Sequence, residues 1–182
     1  MNHQTAVGAA KLVLAGPMGA GKSSAIAALT DMPPISTEMP LTTGAMGDKH
    51  TTTVAFDFAT LTLDDQTPLL VYGLPGQDHF AFMRPIILEG AAGVILLLDA
   101  TSETIGADCE EWLRSIRQIA PAAPIVIGVT KTDLASGFSM ATLRSAIRRV
   151  GPPIPAFTFD ARRADQAKHL LRAMLVSCGD FA

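Results

Sequence analysis

A chain of 182 residues with a formal net charge of -3 can bury a core without disulfide or metal staples, and with no block of basic residues it excludes a dedicated nucleic-acid surface. The two cysteines, Cys109 and Cys178, match no zinc or redox spacing and read as reduced thiols of a cytoplasmic protein. The longest apolar run, 93–98, is far short of the roughly 20 residues needed to span a bilayer, and neither end carries a lipidation pattern, so no direct membrane anchor is expected.

In chain order, apolar segments alternate between strand-like and helix-like patterns, which predicts one α/β domain over 1–182 with a flexible tail at 1–10. Residues 11–15 read as a first strand, followed by a glycine-rich turn and a helix from Lys22 to Thr30. A loop rich in Pro, Thr, Gly and Met fills 31–52, a length that usually signals function. The β-branched and aromatic run 53–63 and the strand 68–72, joined at Asp64-Asp65-Gln66, predict an antiparallel hairpin. Then come a helix over 80–89, a buried strand over 94–98, and an amphipathic helix carrying Ile105, Cys109, Trp112, Leu113, Ile116 and Ile119. A strand at 125–129, a helix at 139–150, a strand at 154–159 and a helix at 164–176 complete the chain. The expectation is a three-layer α/β sandwich: six strands, mostly parallel with 53–63 antiparallel, and about five helices.

The segment Gly16-Pro-Met18-Gly19-Ala20-Gly21-Lys22-Ser23 fits G-x-x-x-x-G-K-[ST] between a strand and a helix, the context that motif needs. Its glycines let successive N–H groups turn inward around a β-phosphate, aided by the positive end of the following helix, whose first turn includes Ser24. Lys22 would neutralise β and γ oxygens and Ser23 would offer its hydroxyl to magnesium. A phosphate loop alone leaves ATPases, GTPases and small-molecule kinases open.

Thr130-Lys131-Thr132-Asp133 ends the strand 125–129. An aspartate there accepts from the N1–H and 2-amino group of guanine, a donor pair adenine lacks, while a lysine stem lies over the base plane. With these residues in view, the chain resembles a Ras-like small GTPase from Lys11 to about Val176. The family order is phosphate loop, switch threonine, D-x-x-G-Q, N-K-x-D and S-A-K. Gly73 to Gln77 matches the third except that Gly73 replaces the acid, Thr130 replaces the asparagine of the fourth, and Asp160-Ala161-Arg162 stands where S-A-K is expected. Thr53-x-x-Phe56-Asp57-Phe58 and Pro75-Gly76-Gln77 are similar to the polarity-switch GTPases of gliding bacteria (MglA) and to the GTPases encoded beside roadblock-type proteins in actinobacterial conservons. The resemblance implies a GTP/GDP and Mg2+ dependent switch with a roadblock-type partner.

On that resemblance Thr53 brings a hydroxyl to magnesium, with Thr51 and Thr52 as alternatives, and the regions 31–53 and 73–84 change conformation with the γ-phosphate. Gly76 gives its N–H to that phosphate and Gln77 orients the attacking water. Met18 could crowd Gln77, which predicts slow turnover unless a partner assists. Arg84, in the helix after the switch, could be a cis arginine finger but reads rather as a surface or partner contact, and His50 and His79 read as polar loop residues without a metal role. Two acids could stand in for the one missing at Gly73. Asp57 shares a strand face with Thr53 but lies about 13 Å beyond it along an extended chain, whereas Asp99 ends a buried strand in the manner of a Walker B acid. The reading adopted is that neither substitutes and that waters held by phosphate and Ser23 suffice.

Two other classes stay open. A phosphate-loop kinase for a small metabolite would use Asp99 as its catalytic-strand acid and Arg148, Arg149, Arg162 and Arg163 as a lid. A pseudo-GTPase would bind nucleotide as a scaffold without turnover.

Overall fold

The computed structural model describes residues 9–30, 35–43, 50–63 and 67–179. Its centre is a run of buried apolar strands: β1 (Ala10–Ala15), β5 (Gly93–Asp99) and β6 (Ile125–Thr130). Leu12 to Ala15, Val94 to Leu98 and Val126 to Val129 are almost wholly excluded from solvent. Such uninterrupted apolar runs suit parallel strands covered on both faces.

The sheet has seven strands in the order β2-β3-β4-β1-β5-β6-β7, with β2 (Ile35–Thr43), β3 (His50–Thr62), β4 (Pro68–Gly73) and β7 (Ala156–Thr158) completing it. All neighbours pair in parallel except β2 with β3 and β3 with β4, so β3 alone runs against the rest. The six expected strands and the single reversed one are present. The seventh, β2, lies inside what reads as a loop over 31–52, because its sequence Ile-Ser-Thr-Glu-Met-Pro-Leu-Thr-Thr has no clean alternation and carries a proline. Proline lacks an N–H and is tolerated at a sheet edge, where β2 sits. The last strand is shorter than 154–159, since Pro155 has no N–H to add to a ladder.

Five α-helices cover the two faces. Helix α1 (Lys22–Leu29) and helix α5 (Ala164–Cys178) bury Ile26, Leu29, Leu170 and Met174 against Leu12, Leu14, Ile95 and Leu97. On the other face α2 (Arg84–Leu88), α3 (Ile105–Ile119) and α4 (Met140–Val150) bury Ile87, Trp112, Leu113 and Ile147 against Val13, Val94, Leu96 and Leu98. Where a helix over 80–89 is expected, a 3-10 helix at Asp78–Met83 precedes the short α2. Pro85 in the first turn of α2 explains the break: it has no N–H to return to residue 81, and its fixed φ suits a new helix start.

The chain leaves β1 for one face through α1 and leaves β4 for the other face through α2. The loops after β1 and β4 therefore diverge beside each other at the carboxyl edge of the sheet, the kind of crevice where open α/β sheets bind ligands. Residues 1–8, which make up most of the expected tail, lie outside the described residues, and Ala10 already belongs to β1.

Candidate functional site

The turn between β1 and α1 takes the shape its glycines permit. Gly16, Gly19 and Gly21 all have positive φ, and Gly21 serves as the left-handed residue before α1. Lys22 folds back so that its ammonium donates to the carbonyls of Gly16 at 2.7 Å and Pro17 at 2.6 Å. Burial pushes the Lys22 pKa down to about 8 against the opposing pull of the Asp57 charge. A cation held at some desolvation cost at the loop mouth is ready for an anionic partner.

The segment after β4 closes over this loop. Leu74 N–H donates to Leu14 O at 2.8 Å, continuing the β1–β4 pairing. Two residues on, the chain passes so close that a methyl group on Gly76 would lie 2.5 Å from Met18 N and from the Pro17 carbonyl carbon. Only glycine fits between these backbones. Gln77 is exposed, and its amide nitrogen lies 3.5 Å from the Met18 sulfur, which is itself on a side chain 71 % exposed. Met18, Lys22, Ser23, Ser24, Gly76 and Gln77 thus line one cleft of about 430 Å³. Phe56, Leu74, Pro75 and Phe80 also line it. Sequence reasoning missed these four, because their apolar character reads as core.

The cleft also contains Asp57, one of the two acids weighed for the place of the one missing at Gly73. The Ser23 hydroxyl donates to Asp57 Oδ2, and the Asp57 side chain lies against Gly73, the position of the missing acid. Asp57 thus meets α1 and β4 across the sheet, a contact that distance along β3 from Thr53 does not show.

Asp99 is elsewhere. It accepts from the Lys131 ammonium at 2.5 Å, from Thr101 N–H at 2.9 Å and from the Thr101 hydroxyl at 2.6 Å. Burial works upward on its pKa but is outweighed by these hydrogen bonds, leaving the carboxyl below its ordinary range. Asp99 does not line the phosphate cleft. Its partner Lys131 is the one non-glycine residue among those described with positive φ, at 57°, and their ion pair fixes where the lysine stem runs.

Thr130 is buried at the end of β6, with its hydroxyl 3.1 Å from Ala20 O and 3.2 Å from Leu98 O. The loop 160–162 closes on the same point: a methyl group on Gly21 would meet Ala161 Cβ at 3.2 Å and Thr130 Cγ2 at 3.4 Å. Arg162 forks onto Asp160 at 2.8 Å through both Nε and Nη2, and this contact draws the Asp160 carboxyl down to about 2. Its Nη2 also lies 3.9 Å from exposed Asp133. The structure therefore brings Ala20, Gly21, Thr130, Ala161, Arg162 and Asp133 together.

Arg84 turns away from the cleft. Its guanidinium lies 4.0 Å from the centroid of Trp112, with Glu111 at 3.6 Å. Nor do the arginines of an imagined lid line the phosphate cleft: Arg149 pairs with Glu110 at 2.6 Å and Arg163 with Asp165 at 3.1 Å. His79 packs on Phe80 at 4.0 Å. Thr53 pairs with Pro40 of β2 through the backbone, while the side chains of His50, Thr51, Thr52 and Thr53 lie outside those described, as do residues 31–34 and 44–49.

Among the described residues no cluster of three or more His, Cys, Asp or Glu could cage a metal ion. The oxygens of Ser23 and Asp57 nonetheless fit magnesium, a hard cation usually held by one or two protein oxygens together with phosphates and water. No helix among the described residues is long and apolar enough to cross a membrane.

Residues 11–133 match the family described as Ras of Complex, Roc, domain of DAPkinase. The chain is 27% identical over 144 residues to the GTP-binding protein ypt4 of Schizosaccharomyces pombe, covering 75% of this chain and 56% of that protein. It is 27% identical over 128 residues to the mouse Ras-related protein Rab-22A, covering 68% of this chain and 60% of that one. Against the Ras and EF-hand domain-containing protein of Danio rerio it is 32% identical over 127 residues, 68% of this chain and 18% of that protein. The matches thus span little more than half the length of the first two relatives. Phosphate loop, glycine-glutamine turn and lysine-aspartate loop stand in one order on one fold, and the chain belongs to the Roc/Ras-like family of small GTPases.

Proposed function

We propose that this protein is a regulatory switch that binds GTP with Mg2+, hydrolyses it slowly to GDP, and presents different surfaces over 31–53 and 73–84 in the two states. The observation that carries the reading is the passage of Gly76 directly over Met18 and Pro17, which supports a γ-phosphate held between the phosphate loop and this turn. Lys22 gives up its carbonyl contacts for phosphate oxygens, the Gly76 N–H holds the γ-phosphate, and Gln77 orients water. Magnesium, when bound, neutralises charge on the β and γ oxygens; Ser23 and Thr53 are the hydroxyls assigned to it. Asp133 reads guanine, Lys131 braced by Asp99 lies along the base, and the 160–162 backbone meets its carbonyl.

A kinase reading loses support because Asp99 is committed to Lys131 and three of the four lid arginines are paired elsewhere. The scaffold reading keeps one observation, the contact of Gln77 with Met18. The bacterial branch and the roadblock-type partner rest on the Thr53-x-x-Phe56-Asp57-Phe58 and Pro75-Gly76-Gln77 resemblance. Identifying the nucleotide that co-purifies with the protein and following its hydrolysis separates the readings. Guanine nucleotide with turnover is the expected result. Adenine nucleotide with acceptor-dependent phosphate transfer would overturn it in favour of a kinase, and guanine nucleotide without turnover in favour of a scaffold.

A further inference from the structure

The turn after β6 is closed by its backbone, with Leu134 N–H donating to Lys131 O at 3.0 Å. That bond pins the main chain around Asp133 but not its carboxylate, which is exposed. Among the described residues the carboxylate faces one cation, the Arg162 guanidinium, whose Nη2 lies 3.9 Å from Oδ2.

Arg162 is anchored on its other side. Its Nε donates to Asp160 Oδ1 and its Nη2 to Asp160 Oδ2, both at 2.8 Å, and its backbone N–H reaches Oδ1 at 3.0 Å. Asp160 is held in turn by Gln166, whose Oε1 accepts from the Asp160 N–H at 2.7 Å. A guanidinium is a rigid plane with five N–H donors, so a fork on one carboxylate fixes where the rest of the charge points. Here it points at Asp133.

At 3.9 Å that contact is a charge attraction beyond hydrogen-bond reach. It draws the Asp133 carboxylate toward the loop 160–162 without consuming a lone pair of either oxygen. Asp133 and Asp160 alone would repel each other. With Arg162 between them, two carboxylates and one guanidinium leave a single net negative charge, carried on the group whose lone pairs are free.

Resting on the GTP-binding reading above, we propose that Arg162 is a specificity-determining positioning residue for the base. Anchored on Asp160, it holds the Asp133 carboxylate square to guanine, so that one oxygen takes N1–H and the other the 2-amino group. The side chains of Arg162 and Asp133 are 72% and 62% exposed, so the hold is electrostatic and is screened by salt. Base selection then weakens as ionic strength rises.

The test is displacement of mant-GDP by GDP and by inosine diphosphate, which lacks only the 2-amino group, across a KCl titration. Both competitors carry the same phosphates, so salt effects on phosphate binding and any loss of folded protein cancel in the ratio of their affinities. Wild-type protein is expected to prefer GDP and to lose about three- to fivefold of that preference between about 0.05 and 0.5 M KCl. Arg162→Gln is expected to lose about as much at the lowest salt and to respond little to KCl thereafter. An Arg162→Gln ratio equal to wild type, with both affinities unchanged or both reduced alike, overturns the proposal and leaves guanine binding standing. So does a wild-type ratio that stays constant across the titration, a measurement that needs no variant to fold. Wild-type protein that does not distinguish the two nucleotides overturns the guanine reading, and this proposal with it.

Discussion

Met18 and Gln77 illustrate how one side chain sets the work of another. A thioether is a weak acceptor, so the 3.5 Å contact with the Gln77 amide holds that side chain with little energy, yet it takes one of the two N–H donors of the residue proposed to position water. Met18→Gly is expected to raise the single-turnover rate of GTP hydrolysis about two- to tenfold, and Gln77→Ala to lower it about tenfold or more. A Met18→Gly rate equal to wild type would mean that Gln77 leaves the sulfur unaided once GTP binds. Asp57 carries the other lesson of this scale. The bare Gly73 was legible, but what faces Asp57 is found by counting across the β3–β4 pairing. Distance along the chain from Thr53 hid it.

Most elements followed from pattern. The apolar runs of β5 and β6 and the 3.6-residue spacing of α3 have strong single periods, and the structure places them within a residue or two of expectation. The phosphate loop and the Thr130–Asp133 loop were legible as motifs because backbone geometry dictates their residue types. What sequence could not give was β2, whose pairing with β3 is tertiary, and the 3-10 segment ahead of α2, where one proline redirects the hydrogen bonds. Arg84 shows the same limit. Its charge suggests a surface or partner contact, but it is 9 % exposed and sits over the Trp112 ring with Nε lacking a partner, so it acts as the bolt between α2 and α3. Arg84→Ala is expected to lower unfolding free energy by about 1–2 kcal/mol in urea titrations, from the cation–π contact and the buried stem. Its single-turnover rate should stay within about twofold of wild type. A loss on the order of 10³-fold would instead make Arg84 the catalytic arginine.

At the scale of the whole molecule, two apolar layers clamp one sheet, and Cys109 reports on the integrity of the layer built by α3. Burial pushes its thiol up to about 12, with neighbouring Glu110 adding to the rise, so almost none of it is thiolate near neutrality. Cys178, near the end of α5, is only partly buried. Iodoacetamide at about pH 8 is expected to label Cys178 in the folded protein and Cys109 only as the layer opens. GDP with Mg2+ should slow the second reaction further, because a ligand of the folded state lowers the open population. Equal labelling rates at both cysteines would show that α3 does not stay docked.

The Thr130 hydroxyl lies between Ala20 of the phosphate loop and Leu98 of β5, and a methyl group at Gly21 would touch both Thr130 and Ala161. The loop proposed to read the base and the loop proposed to hold the phosphates are therefore two grips on one rigid handle. A ligand seized by either end presents its other end at a high effective concentration, with no search left to make. Nucleotide affinity then depends on the product of the two grips and on a fixed span between them, so a fragment carrying only base or only phosphate forfeits far more than its share of the contacts.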